Sequence, residues 1–98
     1  MDLESLMARA QGLQNKVSEA QESLSQKHVK GIADNGAVIV DMTGKYDVVS
    51  VVINPDVLSR GAPAVSELVA TAYRDAKEKA DVLIDEVMTA VTGGFSLE

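Results

Sequence analysis

Arg9, Lys16 and Lys27 are separated by seven and eleven residues in a stretch without proline. At 100° per residue, a helix would put all three within about 20° of one line along its side. The acids Glu4, Glu19 and Glu22 lie well around the cylinder, and only Asp2 interrupts the line. A row of cations held by a helix can neutralise phosphates even on an acidic protein. The same spacing has a plainer use. Arg9 and Lys16 fall at g positions of a heptad, where charges pair across a helix–helix contact. The pattern alone leaves both readings open.

The other reactive residue types point away from catalysis. His28 is the single histidine and stands at a junction between two patterns, without partners at ligand spacing. There is no cysteine, hence no thiolate zinc site, no cysteine nucleophile and no disulfide frame, which fits a reducing compartment. No HExxH, GxSxG or phosphate-binding glycine loop occurs. Apart from Gly12 and the pair Gly93-Gly94, the glycines read as single turn residues. Glu67, Glu78, Asp81 and Asp85 share an outer face of a C-terminal helical pattern, and nothing beside them would raise one acid's pKa. They read as a solvated face. Arg74, Lys77 and Lys79 are interleaved with Asp75, Glu78 and Asp81, so pairs such as Asp75–Lys79 account for them. The expectation is no enzyme, no cofactor, no metal and no small-molecule substrate.

Two long helices and three strands must position these groups. Leu3, Ala10, Val17 and Leu24 recur every seven residues, with Leu6, Leu13 and Ala20 as the second series. That predicts an amphipathic helix over 2–27, laid against another helix, with Asp2 as its cap. From His28 the period becomes two. Strands are predicted at 28–34, 37–43 and 47–53, with turns at Asp34-Asn35-Gly36 and Thr43-Gly44-Lys45. Val38, Val40 and Met42 share one face of the second strand, while the third carries valines on both faces. A strand apolar on both faces calls for cover on both. Asn54-Pro55 ends it, Asp56–Ser59 suggests a helical turn, and Gly61-Ala62-Pro63 precedes a helix from about 64 to 91. Gly93-Gly94 would stop that helix. Its apolar line is Val65, Val69, Ala72, Ala76, Ala80, Leu83, Val87 and Val91. The fold class is α+β, in the order α-β-β-β-α, with a three-stranded antiparallel sheet flanked by two long helices.

Residues 1–98 fit one domain, with 46% apolar and 24% charged residues and a net charge of −6. Phe95, Tyr46 and Tyr73 are the only aromatics, so the core must be aliphatic. Such a short chain, with one strand apolar on both faces, predicts a homodimer. No signal peptide pattern and no membrane-spanning run appear, so a cytoplasmic location is expected.

Leu6-Met7-Ala8-Arg9-Ala10-Gln11, with Gln14-Asn15-Lys16, is similar to the opening helix of the YbaB/EbfC nucleoid-associated proteins, a small bacterial family. Gly31-Ile32-Ala33 through Asp41-Met42-Thr43-Gly44 resembles its glycine-bounded hairpin, and Val51–Leu58 resembles its strand exit. Glu67–Ala76 resembles its "DLVxAAxNDA" helix. The resemblance covers most of the chain, roughly residues 6–92. The resemblance implies a homodimer with associated sheets and projecting helical arms. It further implies binding of double-stranded DNA with little sequence preference, a place in the nucleoid, and no catalysis. Lys16 and Lys79 match basic positions of the family. Ala8 where lysine is usual, Arg74 in place of asparagine, and a tail reduced to Gly93-Gly94-Phe95 depart from it, and they weigh on DNA binding rather than on the fold. The expected contacts are Arg9 and Lys16, followed by Lys27, Lys30, Lys45 and Lys79. The alternative is a dimeric protein–protein adaptor of the same fold without significant DNA affinity.

Overall fold

The computed structural model describes residues 2–93. Helix α1 (Leu3–Gln26) leads into strand β1 (His28–Ala33), a tight turn at Asp34–Gly36, strand β2 (Val38–Thr43) and strand β3 (Val48–Ile53). A short helix α2 (Pro55–Leu58) and the long helix α3 (Ala62–Gly93) follow. The sheet is antiparallel in the order β1-β2-β3. The expected α+β class and element order are therefore found, with α3 starting two residues before the predicted 64. The Gly94 half of the predicted stop lies outside the described residues.

Local chemistry sets the boundaries. The Asp2 carboxylate accepts the Ser5 amide at 2.8 Å, capping α1 and holding its own pKa below the usual value. Asp34, Asn35 and Gly36 all take positive φ (51°, 56° and 95°), the conformation that makes Asn-Gly a turn. The Asn54 side chain accepts the Asp56 amide at 3.0 Å, and Pro55 opens α2. A register shift at Asp41/Met42 pairs Met42 with Val48 and Asp41 with Ser50, so Val49 bulges from β3.

One face of the sheet packs on α3. Ala33, Val38, Val40, Met42 and Val57 are buried against Ala72, Ala76 and Ala80. The three alanines form an i, i+4 ridge low enough for the helix to lie close to the sheet. Gly31 completes that fit. A Cβ there would fall 1.9 Å from the Ala72 carbonyl oxygen and 2.4 Å from the Ala76 nitrogen. This corrects its reading as a turn residue: Gly31 lies inside β1, beneath a helix backbone.

The described residues do not supply the cover expected for β3. Val48, Val49, Val51 and Val52 are 47%, 53%, 43% and 58% exposed. The helices also outrun the sheet. Six-residue strands span about 20 Å, whereas the 32 residues of α3 span about 48 Å. The α1 C-terminus and the middle of α3 both meet the β2–β3 turn, and beyond it the two helices pack side by side. The a/d stripe of α1 is accordingly buried at Ala20 and Leu24, half-buried at Leu13 and Val17, and exposed at Leu3 and Leu6. The resulting particle measures 68 × 23 × 16 Å, with a radius of gyration of 19.2 Å. A compact chain of this length would have about 13 Å.

Candidate nucleic-acid interface

All six predicted basic residues are exposed, and the structure distributes them over three places. Arg9 and Lys16 lie on the part of α1 that leaves the sheet, where a 24-residue helix carries them outward. Arg9 forms no ion pair with any described residue. Lys27 caps the end of α1, and Lys45 follows Gly44 in the β2–β3 turn. These two are brought to one corner. The Gly44 amide donates to the carbonyls of both Leu24 and Lys27 at 3.0 Å. A Cβ at Gly44 would fall 2.8 Å from the Leu24 carbonyl, so glycine permits the junction. The line Arg9–Lys16–Lys27 thus runs from the projecting part of α1 down to the shoulder that bears Lys45.

Lys30 and Lys79 form the third place. The Lys79 ammonium lies 2.9 Å from the Asp75 carboxylate and donates to the Lys30 carbonyl at 2.8 Å. The same Asp75 oxygen accepts the Ile32 amide at 2.9 Å. That amide, and then the Lys79 ammonium, hold the Asp75 carboxyl below its usual pKa. The Asp75–Lys79 pair was legible as an i, i+4 spacing, but its reach to β1 was not.

At the shoulder the Tyr46 hydroxyl donates to Asp81, and the Lys77 ammonium sits 5.9 Å over the Tyr46 ring. Lys77 also approaches Asp81 at 4.0 Å. The hydrogen bond to Asp81 raises the Tyr46 pKa above its usual value of 10.0. Sequence spacing assigned Lys77 to neighbours on its own helix and missed Tyr46, which is 31 positions away. His28 pairs with Asp41 through Nδ1 at 2.8 Å across the open sheet face. Among the described residues, no group of three His, Asp or Glu is placed to hold a metal ion. No helix among them is long and apolar enough to cross a membrane.

A concavity lies on a different surface. An open groove of about 790 Å³ runs between β3 and α3, lined by Val40, Val48, Val51, Val65, Val69 and Tyr73, with Arg74 at its rim. None of the six predicted residues lines it.

Comparison with known proteins agrees with this architecture. Residues 1–95 match the YbaB/EbfC DNA-binding family. The chain is 39% identical over 97 residues to a nucleoid-associated protein of Bradyrhizobium diazoefficiens, covering 98% of this chain and 92% of that protein. It is 36% identical over 96 residues to a nucleoid-associated protein of a Cyanothece species, covering 98% and 84%. An uncharacterized protein of Helicobacter pylori has the same fold at a TM-score of 0.80 and 18% identity, with 92% of this chain and 96% of that one superposed. With its opening helix, three-stranded sheet and closing helix all inside the matched region, this chain belongs to the YbaB/EbfC DNA-binding family.

Proposed function

We propose that the protein is a homodimeric, nucleoid-associated protein of the cytoplasm that binds duplex DNA with little sequence preference. One observation carries this reading. A line of cations, Arg9, Lys16 and Lys27, lies exposed on a helix that projects beyond the sheet and meets Lys45 at the shoulder. Such a line neutralises phosphates and positions the protein without reading base edges. Lys30 and Lys79 stand behind these, since the Lys79 ammonium is already shared between Asp75 and a carbonyl. Single strands are disfavoured, because they are held by stacking on aromatic platforms. Tyr46 is tied to Asp81 with Lys77 over its ring, and Tyr73 lines the apolar groove.

The test is titration of duplex DNA at two salt concentrations. Arg9 and Lys16 from two protomers neutralise about four phosphates, so affinity falls roughly 10²-fold between about 50 and 200 mM salt. Changing both residues to Gln removes most of the binding and flattens that slope, with thermal stability nearly unchanged. Undiminished affinity in the double variant would refute the site. The acids Glu67, Glu78 and Asp85, all exposed on α3, favour the adaptor as the second reading. It takes over if the wild type binds no duplex at low salt.

A further inference from the structure

The sheet has two outer edges, and the chain treats them differently. Along β1, the Ile32 amide is given to Asp75 and the Lys30 carbonyl is taken by Lys79, at 2.9 and 2.8 Å. The two side chains are themselves paired at 2.9 Å. These backbone groups are the ones a further strand would use, since β2 occupies the other side of β1. An outward carbonyl and the outward amide two residues on lie about 4.5 Å apart along a strand, within reach of two side chains one helical turn apart that lean together as an ion pair. Gly31, between Lys30 and Ile32, lets the helix backbone come close enough for both side chains to reach. Among the described residues no acid–base pair lies along β3, whose valines are exposed.

We propose that Asp75 and Lys79 act as a stopper on β1, closing that edge to further strands and leaving β3 as the edge through which two copies associate. With the stopper removed, β1 accepts the β1 strand of a second copy, in the self-complementary pairing that a two-fold axis requires. This rests on the homodimer reading for the role of β3, and not for the closure of β1. Dimers joined through β3 would then link end to end through their two opened β1 edges and grow into chains.

Sedimentation of the wild type beside Asp75→Ala/Lys79→Ala tests this. The expected result is a variant whose mass rises with concentration to at least twice the wild-type plateau, with an unchanged circular dichroism spectrum. A folded variant with the wild-type mass overturns the stopper. If the wild type is monomeric while the variant dimerises, the dimer reading fails and the stopper stands. Should the double variant not fold, Lys79→Met answers the same question while keeping the helix and the aliphatic stem. Mass growth upholds the stopper and wild-type mass overturns it. Hydrogen exchange on the wild type adds an independent readout: the Ile32 amide is slow, and exchange there at the rate of an open edge also overturns it.

Discussion

A single oxygen of Asp75 takes both the Ile32 amide and the Lys79 ammonium. Tyr46 makes a comparable tie, since its hydroxyl on Asp81 pins the β2–β3 turn to α3. The two respond to pH in opposite directions. The Asp75 pKa is depressed in the folded protein, so its contribution is present above the ordinary carboxylate value of 3.8 and is lost as pH falls through the folded value. The Tyr46 pKa is raised, so its contribution is present below the ordinary value of 10.0 and is lost as pH rises through the folded value. Carboxyl NMR titration of Asp75 should give a midpoint below 3.8 that moves upward in Lys79→Met. A tyrosinate absorbance titration should show a component above 10.0 that Tyr46→Phe removes. An Asp75 midpoint insensitive to Lys79 would mean that the ion pair does not persist in solution.

Two glycines show how elements are joined. Gly31 lies under α3, where an added Cβ would meet helix backbone at 1.9 Å and neither partner can rotate away. Gly31→Ala should therefore cost more than the usual 1–3 kcal/mol of overpacking, about 3 kcal/mol or greater, seen as a lower urea midpoint. Gly12 in α1 has nothing within 4 Å of its would-be Cβ. Gly12→Ala should stabilise the protein by about 0.5–1 kcal/mol through helix propensity alone. If both substitutions moved stability in the same direction, the close approach of α3 to β1 would be in error. The glycine inside the strand is the one the fold depends on.

The whole molecule exposes more surface than its size requires. Its accessible area is 6750 Å², against about 5,400 Å² for a compact chain of this mass. Part of the excess is the elongated helix pair, and part is the valine surface of β3 with its adjoining groove. Each aliphatic side chain fully buried there would contribute about 1.5–3 kcal/mol, a large share of a small domain's stability. Sedimentation equilibrium should therefore show a dimer at micromolar protein. Val51→Asp, which puts a charge on that surface, should shift association to higher concentration. A wild-type mass that stays monomeric at every concentration contradicts the dimer.

Periodicity by itself determined the α-β-β-β-α order, both turns, the Asp2 cap, the buried face Val38-Val40-Met42 and the cation line of α1. Each depends on neighbours within a few residues, where helix and strand repeats decide which way a side chain points. It also showed the Asp75–Lys79 pair, because four residues is one helical turn. Only the tertiary structure decided what that pair touches, why Gly31 must be glycine, and that Tyr46 meets Asp81. Those contacts join positions 35 to 49 residues apart, and the separation of two elements in space is set by ridge heights such as Ala72-Ala76-Ala80 rather than by sequence spacing. The exposed β3 belongs to the same class. Its valines spelled out a need for cover, but packing alone decided that α3 would spend its apolar ridge on β1 and β2 and leave β3 open.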